Sequence, residues 1–190
     1  MFDKDRFVDD CRRANLEHSP RQAVSSVVEE ALARPADLAA AFPIDEAGLT
    51  PLYRGADLTI IHFVWAPRMT LYPHDHHMWA IIGIYGGRED NTFYRRTGQR
   101  LAQTRGMSVE AGQTIVLGER DIHAVANPLR RYTTAIHVYG GDFFSAPRRE
   151  WDPETLREQP FDFQHLQRCF AEANARAARP QDYNWPHHGL

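Results

Sequence analysis

The sequence predicts a mainly-β domain, a sandwich or barrel, with helical segments before and after it. Short β-branched and aromatic runs crowd the middle of the chain, and glycine-bearing turns separate them. Apolar residues at helical spacing are confined to the two ends. No helical crossover of a dozen or more residues lies between the runs, which argues against a parallel α/β sheet. The chain has 190 residues, 43% hydrophobic and 25% charged, which suits one domain over 1–190. A chain of this length buries roughly 70% of the surface it exposes unfolded, so it needs no disulfide framework.

The first part, 1–50, reads as helical. Phe7, Val8, Cys11 and Ala14 share one face of a segment from about Asp3 to Leu16. Ser19 and Pro20 are an N-cap and a first-turn proline. Val24, Val27, Val28, Ala31 and Leu32 follow at helical intervals, Pro35 ends that helix, and a short alanine-rich piece runs to Phe42. Pro43 and Pro51 bracket a linker-like stretch. The β core, 51–149, contains Leu58–Ala66, Met78–Tyr85, Thr114–Leu117, Ile122–Ala126 and Tyr132–Tyr139 as strands. The C-terminal extension, 150–190, is helical again. Leu166, Cys169, Phe170 and Ala173 lie at helical spacing, Arg176 and Arg179 favour the helix end, and Pro180 closes it. The last residues, NWPHHGL, read as irregular, with His187 and His188 exposed. Cys11 and Cys169 both fall on apolar helix faces and read as buried, reduced thiols.

Charge and hydropathy exclude several function classes. A net charge of −3 carries no general footprint for nucleic acid or an anionic membrane. No apolar run approaches the roughly 18 residues of a spanning helix. The opening MFDKDRFVDD lacks the apolar core of a secretory signal, so a cytoplasmic protein is expected, with no nucleic-acid and no membrane partner.

The chemistry concentrates in the ten histidines. Tyr72-Pro73-His74-Asp75-His76-His77 is the densest cluster. In an extended strand His74 and His76 project together, and two neutral imidazoles can chelate a divalent ion. Asp75 and His77 form a rival pair on the other face, and side-chain parity alone does not choose between them. His123, reached through a glycine turn in EAGQTIVLGERDIHAVANP, offers a third imidazole from a distant strand. His137 and Tyr139 share a strand face in IHVY. His62 alternates with Phe63 and points the other way.

Three stretches together resemble the cupin superfamily: PHDHHMWAIIGIYGGRE (73–89), DIHAVANP (121–128) and IHVYG (136–140). More narrowly they resemble the thiol dioxygenases, cysteine dioxygenase and 3-mercaptopropionate dioxygenase. The resemblance covers roughly Leu52 to Arg149 and implies a double-stranded β-helix, a jelly-roll barrel. It implies a mononuclear Fe(II) centre on His74, His76 and His123, with Zn, Ni or Mn able to take the same place in purified material. It implies a small thiol and O2 as substrates and a sulfinate as product. It gives His137 and Tyr139 a catalytic role as the inner members of a Ser-x-His-x-Tyr relay, whose serine position is Ala135 here. The cysteine that crosslinks to the tyrosine in animal cysteine dioxygenases has no counterpart in 77–82. For the substrate carboxylate it offers Arg148 or Arg54, Arg148 preferred, and Phe63 and Trp65 match apolar pocket positions. The family also suggests a homodimer through strand edges. Two other readings share these residues: a metal-dependent cupin enzyme with a non-thiol substrate, and a non-catalytic cupin that binds metal or a small molecule.

Overall fold

The computed structural model describes residues 1–98 and 100–178. Arg179, Pro180 and the NWPHHGL tail, with His187 and His188, lie outside them. The expected helices come first: α1 (Lys4–Ala14), α2 (Pro20–Leu32) and α3 (Pro35–Ala41). Asp3 caps α1 by accepting from the Arg6 amide. Pro20 opens α2 as expected, although the Ser19 side chain makes no capping bond. Pro35 does not just end α2. It also occupies the first turn of α3, where a missing N–H costs nothing.

Eight strands then build the barrel: β2 (Thr59–Trp65), β3 (Thr70–Asp75), β4 (Ala80–Gly86), β5 (Arg88–Thr97), β6 (Arg100–Glu110), β7 (Thr114–Leu117), β8 (Ile122–Ala126) and β9 (Thr133–Tyr139). An outer strand, β1 (Gly48–Arg54), precedes them. Two short strands, β10 (Arg149–Trp151) and β11 (Glu158–Pro160), follow, and α4 (Phe163–Ala177) ends the described chain. The sheets run β1-β2-β9-β4-β7 and β11-β10-β3-β8-β5-β6, and every strand pairing is antiparallel. Numbered from β2, the eight barrel strands pair 1-8-3-6 and 2-7-4-5. That order is the double-stranded β-helix of a jelly roll. Among the described residues no helix is long and apolar enough to cross a membrane.

Four details depart from the sequence reading. The linker between Pro43 and Pro51 is partly strand: β1 starts at Gly48 and carries Pro51 on the sheet edge, where a lost donor is tolerated. The β5–β6 hairpin was not expected, because its inward positions include Glu89 and Asn91, which break the apolar alternation that marks a strand. The chain does not turn helical directly after Glu150, since β10 and β11 extend the second sheet first. Cys169 is half-buried rather than buried, while Cys11 is buried, its thiol pushed up to about 12 by burial; both are free.

The first sheet is covered on both faces. Its outer face packs Ile60, Ile81, Ile136 and Val138 against Val24, Val28, Leu32 and Leu38 of the helices. Gly83 lets α2 lie close to β4: a Cβ there would meet Val28 Cγ1 at 2.6 Å. The inner face joins Phe63, Trp65, Ile82 and Tyr139 to residues of the second sheet and to Leu166 and Phe170 of α4. The polar exceptions to this inner core form the site.

Candidate metal centre

β3 and β8 place His74 and His123 directly opposite each other in register. His76 follows one residue after β3 ends. The side chains of all three are buried, and their ligand-type nitrogens lie within 4.8 Å of one another. His74 Nε2 and His76 Nε2 are 3.1 Å apart, a separation that two nitrogens about 2.1 Å from one ion can adopt. The rival pair goes elsewhere. His77 turns out to solvent with a positive φ of 53°, and its Nε2 meets Asp75 Oδ2 at 3.1 Å.

The surrounding hydrogen bonds fix the ring protons. His74 Nδ1 donates to the Tyr72 carbonyl at 3.0 Å, which leaves its Nε2 lone pair facing the cluster. His123 Nδ1 donates to Asn91 Oδ1 at 2.7 Å, because the Asn91 amide nitrogen is already donating to Glu89 Oε1. His123 Nε2 is therefore an acceptor, buried and without a partner. Orientation of ligand imidazoles by such outer bonds is the usual mark of a metal site. Burial also holds the three rings neutral: His74 is lowered to about 4, and His76 and His123 fall well below the ordinary value. Three neutral nitrogen donors converging on one point fit a divalent ion.

β9, in the opposite sheet, contributes His137 and Tyr139. The His137 Nδ1 lies 2.9 Å from Tyr139 Oη, and the Tyr139 ring stands edge-on to His76 at 5.1 Å between centroids. Ala135 occupies the next inward position and is fully buried. Thr133 does not replace the missing serine, because its hydroxyl bonds the Arg88 carbonyl and Asn127. Asn127 itself is a brace: its amide donates to the Trp65, Ala66 and Arg131 carbonyls.

Arg148 and Arg54 end in different surroundings. Arg148 is 5% exposed, with its guanidinium carbon 4.0 Å from the Phe143 ring centre and 3.9 Å from that of Phe161. Its Nε and Nη1 are buried and have no partner. Burial lowers it to about 10, so it stays cationic at neutral pH. Arg54 does not line the cavity. Its side chain is 52% exposed, paired with Asp142 at 3.0 Å and bonded to Ser145, since β1 lies at the edge of the first sheet. Phe63 and Trp65 do line the cavity, together with Phe143 and Phe161. Phe63 also packs against His137, tilted at 32° with ring centres 4.2 Å apart, and the Trp65 indole donates to Glu89 Oε2 at 2.9 Å. The cavity measures about 20 Å³, room for roughly one water. The Phe143–Arg148–Phe161 stack is part of its wall, so a larger ligand has to widen the cavity.

Two residues of this site were absent from the sequence reading, Glu89 and Asn91. The available signal was their two-residue spacing with Phe93 just after a Gly-Gly turn. His62 lies on the outer face of β2, as its parity suggested, bonded to Tyr85 Oη at 2.7 Å and stacked on Phe42. His165 was expected on the surface but is half-buried, held by Glu150 at 2.9 Å and stacked on Tyr72.

No protein-family model matches the chain. Among solved structures it is similar to a protein with a double-stranded β-helix domain from Klebsiella pneumoniae, at 13% identity and a TM-score of 0.46, over 57% of this chain and 83% of that one. It is similar to a cupin superfamily protein from Desulfitobacterium hafniense, at 15% identity and a TM-score of 0.45, over 55% and 88%. A third is oxalate decarboxylase from Bacillus subtilis, at 15% identity and a TM-score of 0.44, over 54% and 27%. The strand order of this chain is itself that of a double-stranded β-helix, and within it His74, His76 and His123 converge.

Proposed function

We propose that the chain is a mononuclear non-haem iron thiol dioxygenase. It adds both atoms of O2 to the sulfur of a small carboxylate-bearing thiol, taking RSH and O2 to the sulfinic acid RSO2H. The observation that carries this reading is Arg148, a buried cation with two unpartnered nitrogens facing the same cavity as the three imidazoles. A caged guanidinium of this kind is built for a bidentate anion, and leaving it unpaired costs more than filling it.

The iron, held by His74, His76 and His123, would supply a cationic centre with open positions that lowers the pKa of a thiol and brings it beside O2. The protein's own groups then have separate tasks. Arg148 takes the carboxylate and so fixes how far the sulfur reaches towards the histidines. Phe63, Trp65, Phe143 and Phe161 exclude water, which strengthens every polar contact inside. Tyr139 presents its hydroxyl to the cavity beside His76. None of the described residues lining the cavity is acidic, so nothing there holds an ammonium group. That favours a 3-mercaptopropionate-type thiol over cysteine, and both over cysteamine, whose only charge repels Arg148.

Oxygen uptake by iron-loaded protein tests the reading, with 3-mercaptopropionate, cysteine and cysteamine compared in turn. The expected order of activity is that order, with His76→Ala at background. Uptake at the His76→Ala level for all three thiols would end the assignment. The chain would then pass to a non-thiol enzyme or to a binding protein of the same fold.

A further inference from the structure

Glu89 is fully buried, at 0% exposure, on β5. A buried carboxylate is retained only with donors on its oxygens and a positive partner nearby. Asn91 Nδ2 donates to Oε1 at 3.0 Å and Trp65 Nε1 donates to Oε2 at 2.9 Å, but neither is a cation. Among the described residues the basic group that reaches Glu89 is His137, whose Nε2 lies 3.7 Å from Oε2. That nitrogen is buried and has no other partner. On the far side of the same ring, Nδ1 meets Tyr139 Oη at 2.9 Å. Carboxylate, imidazole and phenol therefore form a line from the barrel wall to the cavity. The serine that the resemblance would place at its outer end is Ala135, and the charged group that faces His137 Nε2 is instead a carboxylate from the opposite sheet.

We infer that Glu89 is the positioning residue of this relay: it holds the His137 proton on Nε2, so that Nδ1 accepts the Tyr139 hydroxyl proton and a Tyr139 oxygen lone pair faces the cavity. A carboxylate behind an imidazole sets the tautomer in the same way in hydrolase triads. The relay is thereby set to receive a proton. As one leaves a ligand S–H for Tyr139 Oη, the proton of Tyr139 moves to His137 Nδ1. The imidazolium that results faces the Glu89 carboxylate, and no charge is left unpaired. Glu89 also orients Asn91, which orients His123, so one carboxylate sets the ring protons on both sides of the cavity. The use of this relay rests on the function proposed above; the tautomer does not.

The test is 15N-histidine NMR on the full chain loaded with zinc, with the His137 ring signals identified by their loss in His137→Gln. Wild type is expected to show His137 protonated on Nε2 and unprotonated on Nδ1. In Glu89→Gln the amide competes for the place of Oε2, and the Nε2–H form is expected to fall to a minority. Glu89→Asp should restore part of it. In thiol-dependent oxygen uptake, Glu89→Gln should lower kcat by about 10- to 100-fold with KM little changed. An Nδ1–H tautomer in wild type overturns the inference, and that measurement needs no variant to fold. So does an unchanged tautomer in Glu89→Gln. If wild type takes up no oxygen, the function fails while the NMR result still decides the role of Glu89.

Discussion

β2, β4 and β9 are buried on both sides, and their two faces carry opposite chemistry. Along β9, Ile136 and Val138 point outward into the helices, whereas Ala135, His137 and Tyr139 point inward to the site. The outer face is apolar, close-packed and crossed at short range by α2. The inner face looks onto groups that carry several costs: the unpartnered Arg148 guanidinium, the buried His123 and His137 nitrogens that make no hydrogen bond, and the Glu89 carboxylate of the second sheet. Burying such groups without full compensation destabilises a fold, so the apolar outer face supports what the inner face gives up. One strand thus shows stability and function separated by a rotation of about 180° at each residue.

Substitutions on the two faces should therefore fail in different ways. The largest effects are expected from single truncations on each side. Leu38→Ala, at a fully buried outer position, should lower unfolding free energy by about 2–5 kcal/mol in urea melts. Its metal content should stay that of wild type. Arg148→Ala should do the reverse. Catalytic efficiency with a carboxylate thiol should drop by the equivalent of about 2–5 kcal/mol, while thermal stability holds or rises as an unpaired buried charge is removed. Arg54→Ala, at an exposed pair, should change efficiency little. If Arg54→Ala lost the activity and Arg148→Ala kept it, the two arginines would exchange roles. A smaller effect is expected at Asn91→Ala, which frees the His123 ring. Metal affinity by competition with a chelator should fall about 10- to 100-fold.

The smallest effect concerns pH and the outer face. His62 is buried there, and burial, then the neighbouring His137, lowers it to about 4 from 6.5. Its folded value is below its unfolded one. Above pH 6.5 both states are neutral and the full stability is present. As pH falls from about 6.5 towards 4, the unfolded chain binds a proton that the folded site refuses. Stability then declines by up to about 1.4 kcal/mol per pH unit from this group. His62→Gln should flatten that slope in urea midpoints measured between pH 4.5 and 7, and an unchanged slope would remove His62 from the account.

The same two faces explain what was legible in the sequence. The outer face writes itself in hydrophobicity: Val24, Val28 and Leu32 keep a helical period, and Ile60, Ile136 and Val138 sit in obvious strands. The histidine cluster was legible because two of the ten histidines are spaced two apart and a third follows a glycine turn. Choosing His74 and His76 over Asp75 and His77 needed the barrel, since both faces of β3 are buried up to its end. Arg148 and Arg54 could not be separated by order along the chain; an edge strand and an aromatic cage separate them. Glu89 and Asn91 stayed hidden for a physical reason. A strand whose inward residues are polar loses the alternation that would reveal it, so the residues that set the histidine tautomers also concealed β5.

The central claim is that His74 of β3, His76 just after that strand and His123 of β8 hold one ion. It is tested most directly by metal content per chain after loading with Fe(II) under anaerobic conditions and desalting. Wild type and His77→Ala should retain one ion per chain, and His74→Ala, His76→Ala and His123→Ala should each lose it. Retention in His123→Ala, or loss in His77→Ala, would contradict the account.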